Sequence, residues 1–63
     1  MPIVHIYMFS GRTQEKKENL MKKVTDAVCE ALDVSKDAVH IVLNEVPREN
    51  IAHGGIPVYK LNT

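Results

Sequence analysis

Proline at position 2 has the clearest chemical potential in this 63-residue sequence. An initiator methionine is normally removed before a small residue such as proline, so loss of Met1 would leave a free secondary amine. Such an amine is mostly protonated at neutral pH unless apolar surroundings and nearby cations lower its pKa. With a lowered pKa, Pro2 could act as a general base that moves a proton.

Arg12 supplies a permanent positive charge a short distance along the chain. Its guanidinium group can hold a carboxylate through two parallel hydrogen bonds, and it can stabilise negative charge that develops during a reaction. The apolar wall that the Pro2 amine needs could come from Ile3, Val4, Met8 and Phe9. The sequence therefore predicts a base and a carboxylate anchor.

A strand and a long helix must position these two residues. Residues Ile3–Phe9 (IVHIYMF) are β-branched and aromatic, which predicts a strand that begins directly after Pro2. From Thr13, a residue suited to cap a helix, apolar side chains recur at helical spacing. These are Leu20, Met21, Val24, Ala27, Val28, Ala31 and Leu32. The pattern predicts a helix of roughly 19 residues, about 28 Å long.

The rest of the chain predicts a second strand and a short C-terminal hairpin. Asp33–Asp37 forms a polar connection, and Ala38–Val46 is the second strand, parallel to the first because a helix connects them. After the Gly54-Gly55 turn, Ile56–Leu61 is expected to be extended and able to pair with a neighbouring subunit. The predicted fold class is α+β: a βαβ unit with a two-stranded parallel sheet, one long helix and a short C-terminal hairpin or strand.

Length and composition favour one domain over residues 1–63 that depends on self-association. A chain this short buries little apolar surface, and its single cysteine, Cys29, removes intrachain disulfides as a source of stability. Eight basic residues balance eight acidic ones, which argues against nucleic acid as a partner. The absence of a signal peptide pattern or a spanning segment predicts a cytoplasmic protein that has no membrane partner. His5, His40 and His53 fit no zinc spacing, so no metal is expected.

Three short motifs carry a resemblance to a known family: Met1-Pro2-Ile3-Val4, the Gly11-Arg12 pair before the helix, and Gly54-Gly55. Through them the chain resembles the 4-oxalocrotonate tautomerases of the tautomerase superfamily. The resemblance implies a βαβ unit that forms a homohexamer. It also implies an isomerase that interconverts the enol and keto forms of a small unsaturated 2-hydroxy or 2-oxo acid, without a metal or an organic cofactor.

The resemblance implies that Pro2 is the catalytic general base and that Arg12 binds a substrate carboxylate. Two positions depart from the family pattern, since His40 stands where a second arginine is expected and Ile51 stands where an aromatic residue is expected. The missing charge could come from Arg48 of a neighbouring subunit or from protonated His40. A structural role for His40 is an equally good interpretation at this stage.

Two alternatives to a tautomerase stay open on the sequence alone. The chain could be a non-catalytic oligomer of the same fold that binds small acids or acts as a scaffold, and the two departures favour that interpretation somewhat. It could also keep Pro2 but hydrate or dehalogenate an unsaturated acid, although no additional acidic or basic group for that chemistry can be placed.

Overall fold

Two parallel strands and one helix form most of the computed structural model, which describes residues 1–61. Strand β1 (Ile3–Phe9) and strand β2 (His40–Val46) pair in parallel, with Ile3 opposite His40 and Phe9 opposite Val46. Helix α1 (Gln14–Leu32) connects them. The predicted βαβ unit is confirmed.

The start of α1 follows the predicted cap. The Oγ1 atom of Thr13 accepts a hydrogen bond from the backbone N–H of Lys16 at 3.2 Å, which satisfies one of the free donors of the first turn. Just before it, Gly11 has a φ of 119°, a backbone conformation that residues with a Cβ rarely adopt. The turn from β1 into α1 therefore depends on Gly11 and Thr13.

The connection between α1 and β2 differs from the prediction at one boundary. Residues Lys36–Ala38 form a single turn of 3-10 helix, closed by the N–H of Ala38 on the carbonyl of Ser35 at 3.1 Å. Strand β2 consequently begins at His40, where the backbone N–H bonds the carbonyl of Pro2 at 3.1 Å. The apolar pair Ala38-Val39 is typical of a strand, but local turn hydrogen bonds determine its conformation.

The C-terminal segment contains a very short antiparallel hairpin, as predicted. Strands β3 (Ala52–His53) and β4 (Ile56–Pro57) flank the Gly54-Gly55 turn. The expected extension to Leu61 is wrong, because Val58–Lys60 closes a further 3-10 turn with a 2.9 Å hydrogen bond from the N–H of Leu61 to the carbonyl of Val58. A third such turn, Arg48–Asn50, precedes the hairpin.

Helix α1 covers only one face of the β1–β2 sheet. A 2.8 Å ion pair joins Lys17 of the helix to Glu45 of β2 on the covered face. Side chains on the other face alternate with these along each strand. That uncovered face exposes large apolar side chains, namely Ile3 (51%), Tyr7 (72%) and Val42 (39%).

The described chain has almost no core of its own. Val58, at 7% exposure, is its one buried hydrophobic side chain. The radius of gyration is 14.8 Å, compared with roughly 11 Å for a compact domain of this length. These dimensions fit the prediction that other copies of the chain complete the packing.

Candidate active site

Pro2 and His40 lie side by side at one end of the sheet, which we call the Pro2 end. The carbonyl of Pro2 accepts the hydrogen bond from the N–H of His40, and Ile3 lies opposite His40 in the strand register. Met1 is 72% exposed beyond them, so the peptide bond before Pro2 is accessible to processing. The structure thus brings together two of the predicted site residues that are far apart in sequence.

A cleft of about 240 Å³ lies at the opposite end of β1. It is lined by Tyr7, Met8, Phe9, Arg12 and Ile51, and we call it the Phe9 cleft. The guanidinium of Arg12 donates a hydrogen bond from Nη1 to the carbonyl oxygen of Phe9 at 3.3 Å. Apolar walls around one cation suit a small organic acid that has an apolar body and a carboxylate.

Arg48 reaches the same region from the turn that follows β2. Its guanidinium carbon lies 4.4 Å from the centroid of the Phe9 ring, within the range of a cation–π interaction. The sequence suggested that a neighbouring subunit would bring Arg48 to the site. Within its own chain, Arg48 contacts the same phenylalanine whose carbonyl accepts the hydrogen bond from Arg12.

The Pro2 end and the Phe9 cleft are too far apart to act together on one small molecule within a single chain. Strand β1 has seven residues and spans roughly 23 Å between them. The predicted apolar wall is divided in the same way, because Ile3 and Val4 lie beside Pro2 while Met8 and Phe9 lie at the cleft. If the two regions act on the same small molecule, they must belong to different copies of the chain.

The electrostatics of the Phe9 cleft favour an anion. In residues 1–61 the ion pairs are Lys17–Glu45, Lys22–Asp26 and Lys36–Asp26, and neither Arg12 nor Arg48 takes part in one. Both side chains are exposed. Two unpaired guanidinium groups beside an apolar cleft can bind carboxylates through charge-assisted hydrogen bonds.

The remaining candidates do not form a second site in the described part of the chain. Residues 1–61 contain no group of three or more His, Cys, Asp or Glu side chains that could hold a metal ion. Cys29 is half-buried on α1. None of the helices described here combines the length and hydropathy needed to cross a bilayer.

Sequence reasoning did not find the double role of Phe9, which it treated only as part of an apolar wall. A usable signal was present. Phe9 ends the first strand, Arg48 closely follows the second, and parallel strands bring their carboxyl ends to the same edge of a sheet. The strand register, which pairs Phe9 with Val46, is the information that the sequence lacked.

Comparison with known proteins identifies the family that this fold and these residues define. The profile of the family described as "Tautomerase enzyme" matches residues 2–60. The chain belongs to the tautomerase family, and it is an isomerase that acts as a keto–enol tautomerase. This membership favours an enzyme over the scaffold alternative.

Individual relatives match nearly the whole chain. The 2-hydroxymuconate tautomerase of Pseudomonas fluorescens is 37% identical over 62 residues, which cover 98% of each chain. The crystal structure of YwhB, a homologue of 4-oxalocrotonate tautomerase, is 33% identical with a TM-score of 0.90, covering 97% of this chain and 100% of that one. A heterohexameric 4-oxalocrotonate tautomerase from Chloroflexus aurantiacus is 32% identical with a TM-score of 0.89, covering 98% and 100%.

Proposed function

We propose that the chain, after removal of Met1, interconverts the enol and keto forms of a small unsaturated 2-hydroxy or 2-oxo acid such as 2-hydroxymuconate. The full-length similarity to 2-hydroxymuconate tautomerases supports this substrate class. The observation that carries the proposal is the position of Arg12, an unpaired cation at an apolar cleft that fits a small organic acid. Pro2 supplies the base.

The mechanism needs only one transferred proton and two groups of the protein, the amino-terminal amine of Pro2 and the guanidinium of Arg12. Arg12 holds a carboxylate of the enol acid while the neutral Pro2 amine removes the proton of the 2-hydroxyl group. The O–H bond breaks, the C2–O bond becomes a carbonyl, and the conjugated double bonds shift away from it. The Pro2 ammonium then returns the proton to a carbon of the dienolate. Arg12 stabilises the negative charge of this intermediate.

The site is shared between subunits in this proposal. Because about 23 Å of β1 separates the two ends, Pro2 of one copy acts on a substrate held in the Phe9 cleft of another. The backbone of His40 is bonded to that of Pro2, so His40 would enter the shared site together with Pro2 and could add a second positive charge there when protonated. A homohexamer is the proposed assembly, supported by the uncovered sheet face and by the hexameric relative. The cytoplasmic location stays a prediction.

Three forms of the protein test the role of Pro2 by ultraviolet assay of 2-hydroxymuconate. They are Met1-free protein verified by mass, Met1-free Pro2→Ala, and a chain with one extra residue before Pro2. We expect rapid ketonisation by the first form. Removal of a general base typically costs 10²- to 10⁴-fold in rate, and we expect a loss of about this size in the other two forms.

The extended chain is the stricter control, because it keeps the proline ring and converts only the amine into an amide. Circular dichroism and mass in solution verify that all three forms fold and assemble alike. Equal activity of the extended and the Met1-free chains would exclude the Pro2 amine as the base.

A further inference from the structure

We propose that Phe9 is a positioning residue that holds Arg12 and Arg48 at one cleft, so that a single chain binds both carboxylates of an unsaturated dicarboxylate. Arg48 is then the specificity-determining residue for the second carboxylate. The inference rests on the proposed function for its substrate class, but its binding test does not depend on turnover.

Phe9 contacts the two cations through different parts of the residue. Its backbone carbonyl accepts the 3.3 Å hydrogen bond from Arg12, and its ring lies under the guanidinium of Arg48 at 4.4 Å. Both guanidinium groups are therefore tethered to one residue at the end of β1. Apolar surface from Phe9, Met8 and Ile51 lies at the same place and can cover the carbon chain between two carboxylates.

The charge pattern points to a dianion. Neither arginine is in an ion pair with a carboxylate in residues 1–61. Two like charges held near one cleft without a counter-ion repel each other, and a ligand with two carboxylates relieves that repulsion. A monocarboxylate would leave one guanidinium without an anionic partner.

Arg48 suits this role better than His40. Within one chain His40 lies at the Pro2 end, so it can reach the Phe9 cleft only as part of a neighbouring copy. A guanidinium group is charged at every working pH and offers two parallel donors to a carboxylate, whereas an imidazole loses its charge near neutral pH. Arg48 thus supplies the permanent second cation that position 40 lacks in this chain.

Two stable ligands of matched shape separate the contribution of the second carboxylate. Muconate (hexa-2,4-dienedioate) and sorbate (hexa-2,4-dienoate) share the same conjugated carbon chain, but only muconate has a carboxylate at both ends. Isothermal titration of each ligand into the assembled protein gives the ratio of the two dissociation constants. Loss of one charge-assisted contact is expected to change that ratio by roughly tenfold to a hundredfold.

The variants distinguish the contribution of the Phe9 ring to binding from that of its backbone carbonyl. Arg48→Ala removes the second cation, and Phe9→Leu removes the ring but keeps an apolar side chain and the carbonyl that bonds Arg12. We expect Arg48→Ala to weaken muconate binding at least tenfold more than sorbate binding. Phe9→Leu should do so by about two- to fivefold, which is the size of an exposed cation–π contact. Phe9→Tyr keeps a ring under Arg48 and should retain the preference for muconate. Lys22→Ala removes an exposed helix cation and controls for net charge.

The same variants are then assayed with 2-hydroxymuconate and with phenylenolpyruvate, an enol acid that has one carboxylate. We expect the rise in KM for the dicarboxylate to exceed the rise for the monocarboxylate. If Arg48→Ala weakens muconate and sorbate equally, or weakens neither, the inference is overturned. The unaltered protein could also bind muconate more tightly than sorbate and yet turn over neither enol acid. That result would contradict the proposed function but would support the dicarboxylate cleft.

Discussion

The two charged groups that could assist Pro2 differ in how they respond to pH. A guanidinium group keeps its charge throughout the working range, whereas an imidazole in general gains or loses a proton near neutrality. The Pro2 amine must be neutral to accept a proton, so its contribution rises with pH. A cationic His40 contributes in the opposite direction, and activity that needs both groups falls on either side of an optimum.

Replacement of His40 tests this pH dependence directly. In His40→Gln the fall in kcat/KM on the alkaline side should disappear or move to higher pH, because no imidazolium is lost there. The rise in kcat/KM on the acid side should remain, since it reflects deprotonation of the Pro2 amine. The measurement is kcat/KM for 2-hydroxymuconate from pH 5 to 10 with both proteins. Superimposable profiles would show that His40 does not act as a cation.

The Phe9–Arg48 contact is suited to positioning because it is weak. A cation–π interaction at an exposed site contributes about 0.5–1 kcal/mol. That free energy is enough to favour one orientation of a long side chain, yet small enough for the guanidinium to turn towards a carboxylate. Arg12 is held by a comparably modest contact, a single 3.3 Å hydrogen bond.

At the scale of elements, the junction between β1 and α1 determines where Arg12 lies. Gly11 makes the turn possible through its positive φ, and Thr13 fixes the first turn of the helix through its hydroxyl group. Arg12 lies between them, so its backbone is constrained on both sides. A loss of the cap should therefore affect both stability and carboxylate binding.

Thr13→Ala removes the side-chain acceptor for the N–H of Lys16 and should cost about 1 kcal/mol of stability. For a domain of this size that corresponds to a decrease in Tm of roughly 4–8 °C at fixed protein concentration. We also expect KM for 2-hydroxymuconate to rise, because Arg12 precedes the frayed turn. Thr13→Ser keeps the hydroxyl and should lower the Tm much less than Thr13→Ala does. Identical Tm values for the two variants would contradict this role of the cap.

Elements with a strong period were predicted well from sequence, and those held by local hydrogen bonds were not. The bounds of β1 and the capped start of α1 agree with the residue pattern, because a bounded run of β-branched and aromatic residues and a 3.6-residue stripe have few alternative explanations. Val58 and Tyr59 favour a strand, yet Val58–Lys60 closes a 3-10 turn. Lys36–Ala38 closes another, at the point where the second strand was expected to begin with Ala38. Turns of this kind depend on backbone bonds that leave no clear pattern in side-chain type.

The sequence predicted which residues belong to the candidate site, but not which of them lie next to each other. Pro2 and Arg12 follow from residue type and family resemblance, whereas the pairings of Pro2 with His40 and of Phe9 with Arg48 follow from strand register. The predicted strand Ile3–Phe9 already placed Pro2 and Arg12 at opposite ends, and its seven residues correspond to roughly 23 Å. What the sequence lacked was the neighbouring strand that brings His40 and Arg48 to these two ends.

At the scale of the whole molecule, the chain is more open than a compact monomer. It exposes 4947 Å², compared with roughly 4,100 Å² for a compact monomer of its mass. Part of the excess is the uncovered face of the sheet, where Ile3, Tyr7 and Val42 meet solvent. Association through this face would remove apolar area from water and stabilise the fold.

A charge on the uncovered face should dissociate the assembly. Val42→Asp places a carboxylate on this face, and removing that charge from water on association is unfavourable by several kcal/mol. Light scattering after size exclusion should therefore show a smaller species than the unaltered protein, with activity lost in parallel. Val42→Leu keeps the apolar surface and should keep the mass. An unchanged mass for Val42→Asp would place the subunit contacts elsewhere.

Subunit mixing tests whether the Pro2 end and the Phe9 cleft meet across chains. Pro2→Ala and Arg12→Ala should each be nearly inactive alone, because every site lacks either its base or its anchor. When the two variants are denatured, mixed in equal amounts and refolded together, some sites receive Pro2 from one chain and Arg12 from the other. Random mixing restores both groups in roughly a quarter of the sites of a symmetric oligomer. The recovered activity should then approach a quarter of that of the refolded unaltered protein.

Each variant refolded separately provides the baseline for that experiment, and a mixture prepared without denaturation shows whether exchange of subunits is needed. Recovery that depends on co-refolding can arise only if the two residues act from different chains. A site built within one chain would always contain one defective residue, so the mixture would stay at the baseline. That result would require Pro2 and Arg12 to approach each other inside a single subunit, against the separation imposed by β1.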